Sequence, residues 1–249
     1  MHSCLETARE TADIVLIQEP WVGSWDMEQG SYMMVGHGSF KCILPPGHNN
    51  NQLKPRVATF VTTSFPNLRV TIRPYIFDDP YLQTLEVSAP GVPTFYVYHI
   101  YNEQYGGDGQ WTLQRLLQNH ALPTTRCLVI GDMNAHHPWW NSKREADSNG
   151  DMLATKMEEG NFYLVNEPDA PTYFQFRPAE DTLYESVLDL AFATEDLYDW
   201  ISNWAICAGD TEATGSDREM CRFEILHDGT ATVPSPTAPR YNWKKADWK

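Results

Sequence analysis

The 249-residue chain has no long apolar run, and nothing in it approaches the ~20 consecutive apolar residues that cross a bilayer. Its opening, MHSCLETARETADIVLIQ, lacks a basic segment followed by an apolar core and is not expected to act as a signal peptide. Cysteine is sparse: five residues, at positions 4, 42, 127, 207 and 221, with no C-x-x-C pair. An odd, scattered set excludes a disulfide scaffold, argues against structural zinc and suits reduced thiols in the nucleus or cytoplasm. Positive charge is also scarce, with 18 Lys and Arg against 33 Asp and Glu, a net of -15. Proteins that grip many phosphates carry a basic stripe, so this deficit excludes a general nucleic-acid coat. An acidic cleft that holds a divalent cation, which in turn meets a phosphate, stays compatible.

What the chain does have is core material, 42% hydrophobic and 12% aromatic, enough for one large domain or two small ones. Short runs of β-branched and aromatic residues between turn formers predict strands at 13–18, 56–63, 68–75, 82–88, 94–101, 127–133, 162–166, 186–193 and 203–210. Helical spacing marks 109–122, which stops before Pro123, and 148–162, where Gly160 is a suitable C-terminal stop. ETARET reads as the tail of another helix. No internal repeat is present. Many strands with few helices predict α/β layering, sheet packed on sheet with helices outside. The domain is expected over 1–228, with 229–249 a Pro/Thr/Ser-rich linker whose last residues, RYNWKKADWK, are locally basic.

Several apolar strands run into acidic groups. DIVLIQ leads to Glu19, LVIG to Asp132 with Asn134 two places on, and the segment around WAICAGD is followed by Asp217. Asp189 lies inside SVLDLAFA, where a charge needs a partner. If the strand persists, a period of two puts Asp132 and Asn134 on one side, a carboxylate able to take a proton from water beside an amide able to donate to a phosphate oxygen. Each group also has a plain structural role open to it, since a strand-end Asp is more often a turn former or cap. His136 and His137 are adjacent and point apart on a strand, which favours packing over shared ligation. His99, within YVYHIY, reads as a satisfied core or rim histidine.

The order of the pieces is specific where no single piece is. IQEPW, HIYNE, VIGDMNAHHPWW, SVLDLAFA and TGSDRE together resemble the endonuclease/exonuclease/phosphatase superfamily, and within it the endonuclease domain of LINE-type non-LTR retrotransposons. The resemblance covers about Asp13 to Glu224. It implies a deoxyribonuclease-I-like four-layer α/β sandwich of two mainly antiparallel sheets flanked by helices. It also implies Mg²⁺, or Mn²⁺ in its place, a DNA substrate, no membrane, and a reverse transcriptase domain in an intact polyprotein. Glu19 and Asp217 would belong to the metal site. Tyr101 would contact the scissile phosphate, Asp132 and Asn134 would align water and phosphate, and Asp189 would orient the catalytic histidine.

Three features depart from that family. The expected Ser-Asp-His reads Ser216-Asp217-Arg218 here, and arginine cannot act as a general base. The family's first strand, with its metal-site Asn, has no counterpart ahead of IQEPW. His99 stands where relatives tend to have Asn. The expectation is a DNA-nicking phosphodiester hydrolase, as a truncated copy with weakened or lost activity and Arg218 pairing with Asp189. The competing expectations are a non-catalytic nucleic-acid-binding remnant and a phosphatase of small phosphoesters.

Overall fold

The computed structural model describes residues 1–26, 28, 31–34, 36–45, 54–104, 109–207 and 216–225. In chain order these form α1 (His2–Ala8), β1 (Ile14–Gln18), β2 (Val22–Asp26), β3 (Ser31–Met34), β4 (Phe40–Ile43), β5 (Val57–Thr62), β6 (Arg69–Ile72), β7 (Leu82–Ala89) and β8 (Val92–Tyr101). There follow α2 (Thr112–Asn119), β9 (Cys127–Asp132), α3 (Ser148–Glu159), β10 (Phe162–Leu164), β11 (Tyr173–Arg177), β12 (Thr182–Ser186), β13 (Asp189–Thr194), α4 (Glu195–Tyr198), β14 (Ile201–Ile206) and β15 (Cys221–Ile225).

Strand alternation builds the layers. In β8, Tyr98 and Ile100 face one way and pack with Leu113, Leu116, Leu153 and Met157 of α2 and α3. Phe95 and Val97 face the other way, into a second core shared with Ile14 and Leu16 of β1 and Trp204 and Phe223 of the β14–β15 hairpin. The opposite face of β1 and β5, with Val15, Ala58 and Phe60, buries Leu5 and Ala8 of α1. Helix, sheet, sheet and helix therefore stack in sequence, each core filled by one face of a period-two strand. The larger sheet runs β10-β13-β9-β8-β7-β6, antiparallel except for the β8–β9 pair, and the smaller runs β1-β5-β4. This is the mixed α/β architecture expected from the sequence, with antiparallel sheets flanked by helices.

All nine predicted strands and both predicted helices have counterparts, and α1 ends within the stretch read as a helix tail. The hairpins β2–β3 and β11–β12, together with β4 and β15, were not anticipated from the sequence. They are only four or five residues long, and most of their positions are partly or fully exposed, so they lack the long apolar runs that betray a central strand. Residues 208–215 and 226–249, including the expected linker, lie outside the described residues. The stop of α3 works differently from expectation. Gly160 has an ordinary φ of -83°, and the left-handed turn falls on Asn161, at φ 55°.

Gly131, just before Asp132, allows the strands bearing the site to approach. A Cβ there would lie 1.9 Å from the Ile100 carbonyl oxygen, and the backbone has φ 144°. Gly131→Ala should therefore cost roughly 3 kcal/mol or more in urea denaturation.

Candidate active site

Register brings the acidic groups together. Tyr101 of β8 pairs with Asp132 of β9, and Asp132 pairs with Asp189 of β13, so the three stand in one row across adjacent strand ends. Direct neighbours of this kind have Cβ atoms ~5 Å apart. Loops then fix the row. Asn102 accepts from the Leu113 N–H through Oδ1 (3.0 Å) and donates to the Met133 carbonyl (2.6 Å), tying the end of β8 to α2 and to the turn after β9. Asn166 donates to the Asp189 carbonyl (2.9 Å), and the Thr172 hydroxyl accepts from the N–H groups of Leu188 and Asp189 (3.0 Å each).

Asn134 comes close to Asp132 by a different route from strand alternation. β9 ends at Asp132. The chain turns at once, Asn134 adopts φ 42°, and its N–H donates back to Asp132 Oδ1 at 3.0 Å. Asn tolerates this left-handed geometry better than most residues. The Asn134 amide is anchored in turn on the Asn102 carbonyl at 3.0 Å.

Arg218 spans the two carboxylates. Nη2 lies 2.6 Å from Asp132 Oδ2 and Nη1 lies 3.2 Å from Asp189 Oδ2. Strand β11 holds it there: Phe174 N–H donates to the Asp217 carbonyl at 2.9 Å, and the guanidinium lies 4.8 Å from the Tyr173 ring centre. The expected Asp189 partner is present, but it shares Arg218 with Asp132. Asp217 is exposed, near enough to Arg218 to help keep it charged.

One guanidinium facing two carboxylates, Asp132 buried and Asp189 partly so, leaves an excess negative charge. Burial, and then the neighbouring Asp189, push Asp132 up to about 7 against the pull of Arg218. Asp189 is raised too, again chiefly by burial. Burial opposes the charge on Arg218, but the Asp189 and Asp132 carboxylates outweigh it and hold the group above its ordinary value. Tyr101 is pushed up to about 12, by burial and then by Glu19, so its phenol stays a proton donor at neutral pH.

Glu19 sits at the rim on the far side of Tyr101. Its backbone has φ 49°, which breaks β1, and its N–H donates to the Arg56 carbonyl at 2.8 Å. The Arg56 side chain, which the sequence reading passed over, returns to the same place. Its Nη2 lies 2.7 Å from Glu19 Oε1, 3.0 Å from Glu103 Oε2 and 3.1 Å from the Tyr101 hydroxyl. A usable signal was present: a basic residue immediately before the apolar run VATFVT.

Behind this rim lies His99, fully buried between the sheets. The Gln18 amide donates to Nε2 (2.9 Å), so Nδ1 carries the proton and points at Gln83 Oε1 (3.3 Å). Burial drives His99 down to about 3, keeping it neutral. It is a satisfied core histidine, and it joins the residue before Glu19 to the strand bearing Tyr101. His99→Leu takes the acceptor from the Gln18 amide, while Gln83 keeps Thr59 and the Ile43 carbonyl, and should cost about 1–3 kcal/mol by thermal or urea melting. His136 is half-buried and His137 buried: His137 Nδ1 accepts from Trp139 N–H (3.1 Å), and its ring lies 5.2 Å from that of Trp140.

Among the described residues, His2, Glu6 and His37 each place one ligand atom within 4.8 Å of the others, close enough to hold a divalent ion. They lie at the opposite end of the smaller sheet from Glu19. His37 adjoins Phe40, which pairs with Thr62, whereas Glu19 adjoins Arg56. The length of β1 separates the two ends, roughly 15 Å. Ser39 N–H also donates to His37 Nδ1 (3.2 Å), which leaves the ring proton on Nε2 facing Glu6. Ligation at Nε2 would displace that proton and set an Nδ1–H against the Ser39 N–H. Among the described residues, Glu19 and Asp217, expected at the metal site, join no such group of three ligand atoms; their carboxylate oxygens are of the kind a hard cation such as Mg²⁺ takes.

A family model described as endonuclease-reverse transcriptase matches residues 95–218, the stretch carrying Tyr101, Asp132, Asn134, Asp189 and Arg218. Together with the fold, this places the chain in the endonuclease/exonuclease/phosphatase superfamily of phosphodiester hydrolases, related to retrotransposon endonucleases. Among solved structures it is similar to the endonuclease domain of TRAS1, a telomere-specific non-LTR retrotransposon, at 22% identity and TM-score 0.67, covering 91% of each chain. It is also similar to the AP endonuclease LMAP from Leishmania major, at 13% identity and TM-score 0.60, covering 91% of this chain and 81% of that one. A third is the 3'-5' exonuclease NExo from Neisseria meningitidis, at 13% identity and TM-score 0.57, covering 89% and 93%. No curated protein matches. No helix among the described residues is long and apolar enough to cross a membrane.

Proposed function

We propose that this chain is a phosphodiesterase-type endonuclease acting on DNA, with its chemistry restrained by Arg218. The observation that carries the reading is the row Tyr101–Asp132–Asp189 on three adjacent strand ends, flanked by Asn134 and Glu19. Asp132, raised to about 7, is poised to accept a proton from water near neutral pH. The Asn134 amide and the Tyr101 hydroxyl are donors for non-bridging phosphate oxygens, and Asn134 can donate without cancelling local charge. Glu19 and Asp217 would hold Mg²⁺, or Mn²⁺ in its place. When bound there, such an ion supplies charge neutralisation at the phosphate and the leaving oxygen.

Two consequences of Arg218 weaken catalysis. Asp132 has one acceptor site on Oδ1 taken by the Asn134 N–H and one on Oδ2 by Arg218, whose charge also lowers its basicity. Arginine also stays protonated and cannot hand a proton to the leaving oxygen, although it can stabilise negative charge on the phosphate. The same paired carboxylate favours a second reading, a DNA-binding domain without turnover. Plasmid-nicking and inositol-phosphate assays, run side by side with Mg²⁺ and with EDTA, test both. Slow Mg²⁺-dependent nicking with no phosphate release supports the endonuclease. Salt-sensitive binding without cleavage supports the second reading, and phosphate release from the inositol phosphate alone overturns both. A reverse transcriptase in the same polyprotein is the partner that this reading implies.

A further inference from the structure

Arg56 is bound in an unbalanced way. One terminal nitrogen, Nη2, meets Glu19, Glu103 and the Tyr101 hydroxyl within 3.1 Å, while Nε is buried with no acceptor. Two donors on one nitrogen cannot satisfy three acceptors well, and no single partner takes the two-nitrogen fork that arginine offers to phosphate. The guanidinium also lies 4.7 Å from the Tyr101 ring centre and 6.0 Å from that of Tyr81, so it can slide across aromatic faces without losing all contact. Glu19 and Glu103 are about half and one-third exposed, so both could be rehydrated if the arginine left.

We propose that Arg56 is a substrate-phosphate ligand held on Glu19 and Glu103 in the free protein, and that an arriving phosphodiester draws it away and frees Glu19 for the divalent cation. The inference rests on the endonuclease reading, in which Glu19 faces the cation and Tyr101 faces the phosphate. It adds an order of events: cation and phosphate favour each other because they compete, through opposite partners, for one Arg56–Glu19 ion pair. By linkage each tightens the other equally.

Two binding experiments test this without relying on turnover. In EDTA, binding of a single-stranded ten-nucleotide DNA is followed by anisotropy at several salt concentrations. Arg56→Met should weaken binding about tenfold and reduce the salt slope by about one phosphate, whereas Glu19→Gln should tighten binding several-fold by releasing Arg56. Without DNA, Mn²⁺ binding is followed by the electron spin resonance of free Mn²⁺. Arg56→Met should tighten it about tenfold and Arg56→Lys by less, since lysine still pairs with Glu19. Thermal melts confirm that each variant is folded, and the half-exposed Glu19→Gln keeps the test open if Arg56→Met is not. Unchanged or weaker DNA binding by Glu19→Gln overturns the proposal, as does Mn²⁺ affinity unaffected in a folded Arg56→Met. If Glu19→Gln leaves Mn²⁺ binding intact in every background, the metal assignment itself fails, a result distinct from failure of the Arg56 coupling.

Discussion

Replacing Arg218 with histidine is expected to raise the rate of Mg²⁺-dependent plasmid nicking by about 10²–10⁴-fold, the usual contribution of a positioned proton-transfer group. Arg218 reaches both Asp132 Oδ2 and Asp189 Oδ2 because its planar fork spans two acceptors. A histidine on the same backbone would meet Asp189 through one ring nitrogen and leave the other facing the phosphate. It would also release Asp132 from its second hydrogen bond. The result should be a pH–rate profile with a new limb near the histidine range, absent from the parent chain. Arg218→Lys should give no such limb, since lysine keeps the charge and titrates far above neutral. Unaltered nicking by Arg218→His, in a variant that melts at the parent temperature, would show that the arginine does not limit turnover.

The second large effect concerns stability against pH. Asp132 rises from an ordinary 3.8 to about 7 on folding. A group whose folded value is raised binds more protons folded than unfolded between those limits. Its contribution is therefore complete below about pH 4 and is lost as the pH rises to about 7. The 2% exposure of Asp132 leaves little solvent screening to reduce the effect, which it shares with Asp189, raised in the same direction. His99 acts in the opposite sense: held down to about 3, it costs stability as the pH falls below its ordinary 6.5. The measurement is accordingly a difference. Urea midpoints of the parent and of Asp132→Asn, compared across pH 4–8, should diverge in favour of the variant as the pH rises, because asparagine still accepts from Arg218 but carries no buried charge. A constant difference across that range would mean that Asp132 does not titrate there. The same variant should lose nicking, since its amide cannot take a proton from water.

How much of this could be read in advance differs from one residue to the next. β8 and β9 are nearly continuous apolar runs because both faces of their sheet are covered, and such runs are easy to recognise. Asp189 stood out because a carboxylate within an apolar strand demands a partner, and Asp132 because an apolar strand runs into it two places before Asn134. The pairing of Tyr101, Asp132 and Asp189 in one row was not readable, since register depends on where neighbouring strands begin to pair. Asn134 was assigned to the right neighbourhood for the wrong reason: a turn at φ 42°, not an extended strand, returns it to Asp132. Strand β11, which holds the Asp217–Arg218 segment, was missed because YFQFR is short and largely exposed, although Phe174 and Phe176 share one face.

The sequence by itself determined the layered α/β class and the acidic character. Each follows from composition or from local periodicity, which neighbouring residues along the chain impose. Only the tertiary structure decided that Arg218 bridges two carboxylates and that Arg56 covers Glu19. A guanidinium reaches several ångströms beyond its backbone, and its partners lie 86 and 29 residues from Arg218 and 37 from Arg56. No local pattern encodes contacts across such separations. They arise when strand pairing brings distant carboxylates to one sheet edge, where burial makes an unpaired charge costly and the nearest arginine is drawn in to meet it.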